Sequence, residues 1–109
     1  MELLRDVEPL LEEIPSLLEG AGFPDSSKLL RGQKRILTVQ EALSLCSCLD
    51  LAASIIAVGP QIGEEVQDLL YWTKGAVLSG ADGDIDLFSD CLHMAQRSLR
   101  EVQAQFSVH

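Results

Sequence analysis

The residues of this chain best able to hold a metal or move a proton are three cysteines, two histidines and a cluster of acids near residue 84. Cys46-x-Cys48 and Cys91-x-His93 together offer four ligands of the kinds zinc takes. Both pairs fall in segments that read as helix, where residues two apart project about 200° from each other. Neither pair can close on one ion while its helix is intact. Cys46 and Cys91 fall instead on faces that read as core, where a thiol behaves as a small hydrophobe, and no metal site is expected. Asp82-Gly83-Asp84-Ile85-Asp86 has the alternating acids that open a calcium loop. The continuation fails: counting from Asp82, Leu87 stands where the sixth-position glycine is required and His93 where the twelfth-position glutamate is required. Asp84 or Asp86 is expected to cap the following helix, with the other acids interacting favourably with its N-terminal dipole. His93 has Ser89, Asp90, Arg97 and Arg100 as helical neighbours. A carboxylate there could orient it as a general base, but an outward helix face has no water-excluding pocket, so His93 reads as a solvated side chain. No nucleophile motif, P-loop or dinucleotide fingerprint occurs.

Binding chemistry has two further candidates. Lys28, Arg31, Lys34 and Arg35 are half of the eight basic residues, and no acid interrupts them between Asp25 and Glu41. They could hold a phosphate or an acidic partner, or they could neutralise the acidic face of the first helix. The second candidate is Tyr71, which helical stepping places on an outward face beside Lys74, Gly75 and Leu78. An aromatic ring next to a residue without a side chain forms a plausible contact patch.

Tyr71-Trp72-Thr73-Lys74-Gly75 resembles the H-x-x-K-G stretch of histidine phosphotransfer domains. Those are helical bundles of similar size that present the stretch to a response regulator. Tyrosine stands here in place of the phosphorylatable histidine. The resemblance, over five residues, implies a docking relative unable to transfer phosphoryl groups by that route.

The elements that must position these residues read as helices throughout. Hydrophobic residues make up 47% of the 109 positions and aromatics only 5%, so the core must be built mainly from Leu, Ile, Val and Ala. Residues 2–20 place Leu3, Leu4, Val7, Leu10, Leu11, Ile14, Leu17 and Leu18 at three-and-four spacing, with Pro9 and Pro15 predicting a kink or a restart. Residues 20–25 read as a stop and loop. Residues 26–36 read as a short helix capped by Ser26 or Ser27. Thr38 and Glu41 form a capping box for a helix over 38–58, TVQEALSLCSCLDLAASIIAV, which Gly59-Pro60 ends. Its nominal polar stripe, Gln40, Ser44, Ser47, Asp50 and Ser54, is interrupted by Leu43, Leu51, Ile55 and Val58. Either this helix is central, or its fourth side meets a second chain. Residues 61–79 repeat the amphipathic pattern, 79–84 read as a turn-rich connection, and a last helix over 85–106 turns Phe88, Cys91, Leu92, Ala95, Leu99, Val102 and Phe106 inward.

The expectation is an all-α protein, a single domain over 1–109, formed as a compact bundle of four long helices and one short helix around the apolar helix at 38–58. With 17 acidic against 8 basic residues the net charge is −9, which disfavours nucleic acid and anionic lipid. The apolar run 42–58 is short for a membrane span and carries Asp50. The N-terminus lacks a secretory pattern and the odd cysteine count suggests no disulfide framework, so a cytoplasmic location is expected. The predicted function is a protein-interaction module (adaptor, chaperone or regulatory subunit), paired as a homodimer through Tyr71, Lys74, Gly75 and Leu78 and through Ser47, Leu51 and Ser54. The alternative is a ligand-binding or enzymatic domain that uses a small anion at 28–35 or His93. No cofactor is expected.

Overall fold

In the computed structural model, which describes residues 3–31, 38–58 and 64–106, proline divides the first apolar stretch. Leu3–Val7 form a 3-10 helix, and α1, Glu8–Gly20, restarts with Pro9 in its first two positions, where a missing N–H costs nothing. Pro15 stays inside α1. Leu4, Val7, Leu10, Leu11, Ile14 and Leu18 are buried along the two pieces. Gly22 then takes φ +96° and donates its N–H to Glu19, while the Phe23 N–H reaches Leu18. This is a glycine-terminated helix end.

α2, Pro24–Leu30, starts two residues earlier than Ser26, because Pro24 is preset for the first helical position. Ser26 and Ser27 are therefore not caps. Both are buried: the Ser26 hydroxyl donates to the Ala52 carbonyl at 3.0 Å and the Ser27 hydroxyl to the Pro15 carbonyl at 2.6 Å. Short hydroxyl side chains let α2 lie close to both neighbours without leaving a buried donor unpaired.

α3, Val39–Ala57, begins where the capping box places it, with Thr38 Oγ1 accepting the Glu41 N–H at 3.1 Å. Its reciprocal contact runs from the Thr38 hydroxyl to Glu41 Oε1, also 3.1 Å. Thr38→Ala should lower stability by about 1 kcal/mol, measured as a shift in the urea midpoint at unchanged m-value.

α4, Glu64–Asp82, runs through Ser79, Gly80 and Ala81, which the sequence assigns to a connection. The turn is confined to Gly83 and Asp84. Gly83 takes φ +79° and donates to Gly80, and Asp84 donates to Ser79. Of the two glycines only Gly83 serves the turn. Gly80 serves packing, since a Cβ there would meet a Leu4 methyl at 2.6 Å. α5, Ile85–Phe106, buries Phe88, Cys91, Ala95, Leu99 and Val102, and exposes Asp86, Asp90, His93, Arg97, Arg100 and Glu101.

The described residues form an all-α bundle. Each helix packs on its successor, α1 closes the ring against α5, and the 3-10 helix packs on α4 and α5. A Cα radius of gyration of 12.9 Å matches the roughly 13 Å of a compact chain this long. One hydrophobic core runs through all five helices, and α4 packs most extensively, against α3, α5 and the 3-10 helix. α3 gives Ala42, Leu45, Cys46, Leu49, Ala52 and Ile56 to that core. Among the described residues α3 is the one helix long and apolar enough to cross a membrane. In this fold it packs one side on α2 and α4. Its other side is open.

Candidate functional site

The open side of α3 carries Val39, Leu43, Ser47, Asp50, Leu51 and Ser54, all exposed, with Val58 at the C-cap 86% exposed. Both serine donors are already used. Ser47 Oγ donates back to the Leu43 carbonyl at 3.3 Å and Ser54 Oγ to the Asp50 carbonyl at 3.0 Å. Asp50 is matched as well, because both its carboxylate oxygens accept from Lys74 Nζ of α4, at 2.8 and 2.9 Å. That hydrogen bond raises the Lys74 pKa above its usual 10.5 and keeps the amine charged. With the Asp50 charge balanced and the Ser47 and Ser54 hydroxyls satisfied, covering this face would leave the exposed Gln40 and Ser44 as the stripe's polar side chains in need of partners.

Across the Asp50–Lys74 pair the surface continues onto α4. Tyr71, Lys74, Gly75 and Leu78 line one open groove of about 390 Å³ between α4 and α5. Trp72 and Ser79 join them from α4, and Asp82, Asp84, Leu87 and Cys91 supply the end and the opposite wall. The Tyr71 and Trp72 rings meet edge to face with centroids 5.1 Å apart. Gly75 lets the helices approach here: a Cβ at that position would lie 3.0 Å from Cys91 Sγ.

The buried thiols are poorly suited to chemistry. Burial pushes the Cys91 thiol pKa up, and Asp90 and Asp84 push it further. Burial also raises Cys46, outweighing the opposing effect of Lys74. Cys46 is buried and Cys48 half-buried, Cys91 buried and His93 exposed, so each pair projects in different directions. Among the described residues no group of three or more His, Cys, Asp and Glu side chains could share a metal ion. Asp84 caps α5 through Oδ1, which accepts the Leu87 N–H at 3.1 Å.

The basic candidates are only partly within view. Arg31 forms an ion pair with Glu19 of α1, the neutralising role open to it in the sequence, and Lys28 is exposed. Lys34 and Arg35 lie outside the described residues.

Two parts of this surface are not evident from residue types, the α5 wall and the Asp50–Lys74 link. The α5 wall has a signal once the turn is placed at Gly83. In an antiparallel helix pair, residues equidistant from the turn come side by side. Gly75 and Cys91 are each eight residues from Gly83, and Ser79 and Leu87 each four.

No protein-family model, curated protein or solved structure matches the chain. The stretch that resembles phosphotransfer domains is at the surface at Tyr71, but its lysine is committed to Asp50.

Proposed function

We propose that this chain is a small acidic protein-interaction module, an adaptor, chaperone or regulatory subunit of the cytoplasm, that pairs with a second copy through the open face of α3. One observation carries the reading. Among the described residues eight large hydrophobic side chains are exposed, and all belong to one side of the chain's order: Val39, Leu43, Leu51 and Val58 of α3 and its cap, Tyr71 and Leu78 of α4, Ile85 and Leu87 of α5. The apolar residues of α1 and α2 are spent on the core. Apolar exposure gathered along one side of a helix, as on α3, marks association surfaces.

The α3 face suits self-pairing because it is locally neutral. A twofold pair brings like residues together, and here like residues are leucines and internally bonded serines, whose small side chains allow helix axes to approach closely. Light scattering at tens of micromolar should give twice the monomer mass of 11.9 kDa. Leu51→Glu should give a monomer with unchanged helicity, since Leu51 is 53% exposed and its replacement disturbs no core contact. A strictly monomeric native chain would refute the pairing.

A further inference from the structure

The groove between α4 and α5 differs in charge from the α3 face, and that difference argues for a different occupant. From Tyr71 to Asp82 the groove follows three turns of α4, about 16 Å at 1.5 Å per residue. Tyr71, Leu78 and Leu87 are exposed along it, by 66%, 40% and 51%. Asp82 and Asp84 stand together where α4 passes into α5. Among the described residues neither carboxylate enters an ion pair, whereas Lys74 in the same lining is held by Asp50.

We infer that this groove receives an amphipathic helical segment of a different protein, apolar along the side that meets Tyr71, Leu78 and Leu87 and carrying lysine or arginine where it meets Asp82 and Asp84. The inference rests on the interaction-module reading and names the partner's chemistry. About 390 Å³ spread over three helical turns holds a row of side chains, the helix-in-groove mode, with anchors three and four residues apart. Charge selects the sign of the partner. An acidic helix would meet two carboxylates that no cation neutralises among the described residues, on a chain of net charge −9. A second copy, itself of net charge −9, is disfavoured for the same reason.

Trp72 lines the groove and is the only tryptophan, so its emission reports occupancy directly. The full chain would be titrated with a synthetic amphipathic helical peptide bearing leucines at i, i+3, i+4 and i+7 and a run of lysines at one end. A matched peptide would carry glutamates in place of the lysines. The lysine peptide should shift Trp72 emission saturably, more weakly at raised salt, and should bind at least about tenfold tighter than the glutamate peptide. Asp82→Lys, an exposed change at the end of α4, should remove most of that preference while circular dichroism stays unchanged. Equal binding of the two peptides, or no response to either, would overturn the inference. So would loss of the homodimer on Leu78→Glu, which would place a second copy in the groove. Pairing through α3 is read separately by the Leu51→Glu light-scattering result, so failure of one reading is distinguishable from failure of the other.

Discussion

Replacing Leu69 by alanine is expected to lower the unfolding free energy by about 2–5 kcal/mol. Leu69 is fully buried on α4, the helix that packs against α3, α5 and the 3-10 helix. Truncation removes apolar contacts and leaves a cavity that rigid helices can close only in part. Against a net stability of about 5–15 kcal/mol for a domain, that loss is a large fraction of the total. Leu78→Ala is the matched control. It makes the same deletion on the same helix, but Leu78 is 40% exposed on the groove. It should cost about 1 kcal/mol or less, because part of the side chain never left water. Urea unfolding of the two variants therefore tests the rotation of α4 about its own axis. Equal losses would mean that the helix does not present Leu69 inward and Leu78 outward, and the groove would fall with it.

Much of this rotation is legible in the sequence because burial follows the 3.6-residue period so closely. Val66, Leu69, Leu70, Thr73, Ala76 and Val77 are buried at that spacing, and the six buried positions of α5 from Phe88 to Val102, Ser98 among them, follow the same rule. Helix starts that depend on local hydrogen bonding are legible too, as at Thr38 and Asp84. Failures occur where a small residue has two uses. Ser26 and Ser27 look like caps because serine competes for backbone donors, yet their partners are the carbonyls of Ala52 and Pro15 on other helices. Such partners are set by tertiary packing and leave no trace in spacing. Gly80 and Gly83 look alike as turn residues, and only the left-handed φ of Gly83 and the crowding at Gly80 separate them.

The candidate surface was legible in the same partial way. Helical stepping puts Tyr71, Lys74, Gly75 and Leu78 on one face, and all four line the groove. Ser47, Leu51 and Ser54 share the open side of α3. Periodicity within one helix cannot say which neighbour forms the opposite wall. That requires the position of the turn, and misplacing it by extending the connection to Ser79 hides the pairing of α4 with Leu87 and Cys91. The Asp50–Lys74 bond spans 24 residues and joins two helices. Its partners are identifiable only once α3 and α4 are known to be adjacent.

Two of the helical glycines, Gly20 and Gly80, should respond to alanine with opposite signs. Gly20→Ala places its methyl where no atom lies within 4 Å, so it should stabilise by about 0.4–1 kcal/mol through the unfolded chain's lost freedom. At Gly80 the same methyl would lie 2.6 Å from Leu4 Cδ2 and 3.0 and 3.1 Å from the Phe88 ring. Leu4 is fully buried and Phe88 is 2% exposed, so neither can swing into solvent. Overpacking of this kind costs about 1–3 kcal/mol, against a gain of about 1 kcal/mol in helix propensity. Gly80→Val should exceed the alanine change, since its extra methyls enter the same crowded space. Leu4→Ala alone opens a cavity at that point and should cost about 2–5 kcal/mol. Combined with Gly80→Ala it should cost less than the sum, because the new methyl occupies part of the vacated volume. A favourable coupling of about 0.5–3 kcal/mol is expected for residues in such contact. Thermal or urea unfolding of the two single variants and the double variant measures it. Strict additivity would show that Leu4 and Gly80 do not share that space, and that the 3-10 helix does not seat on α4 at this position.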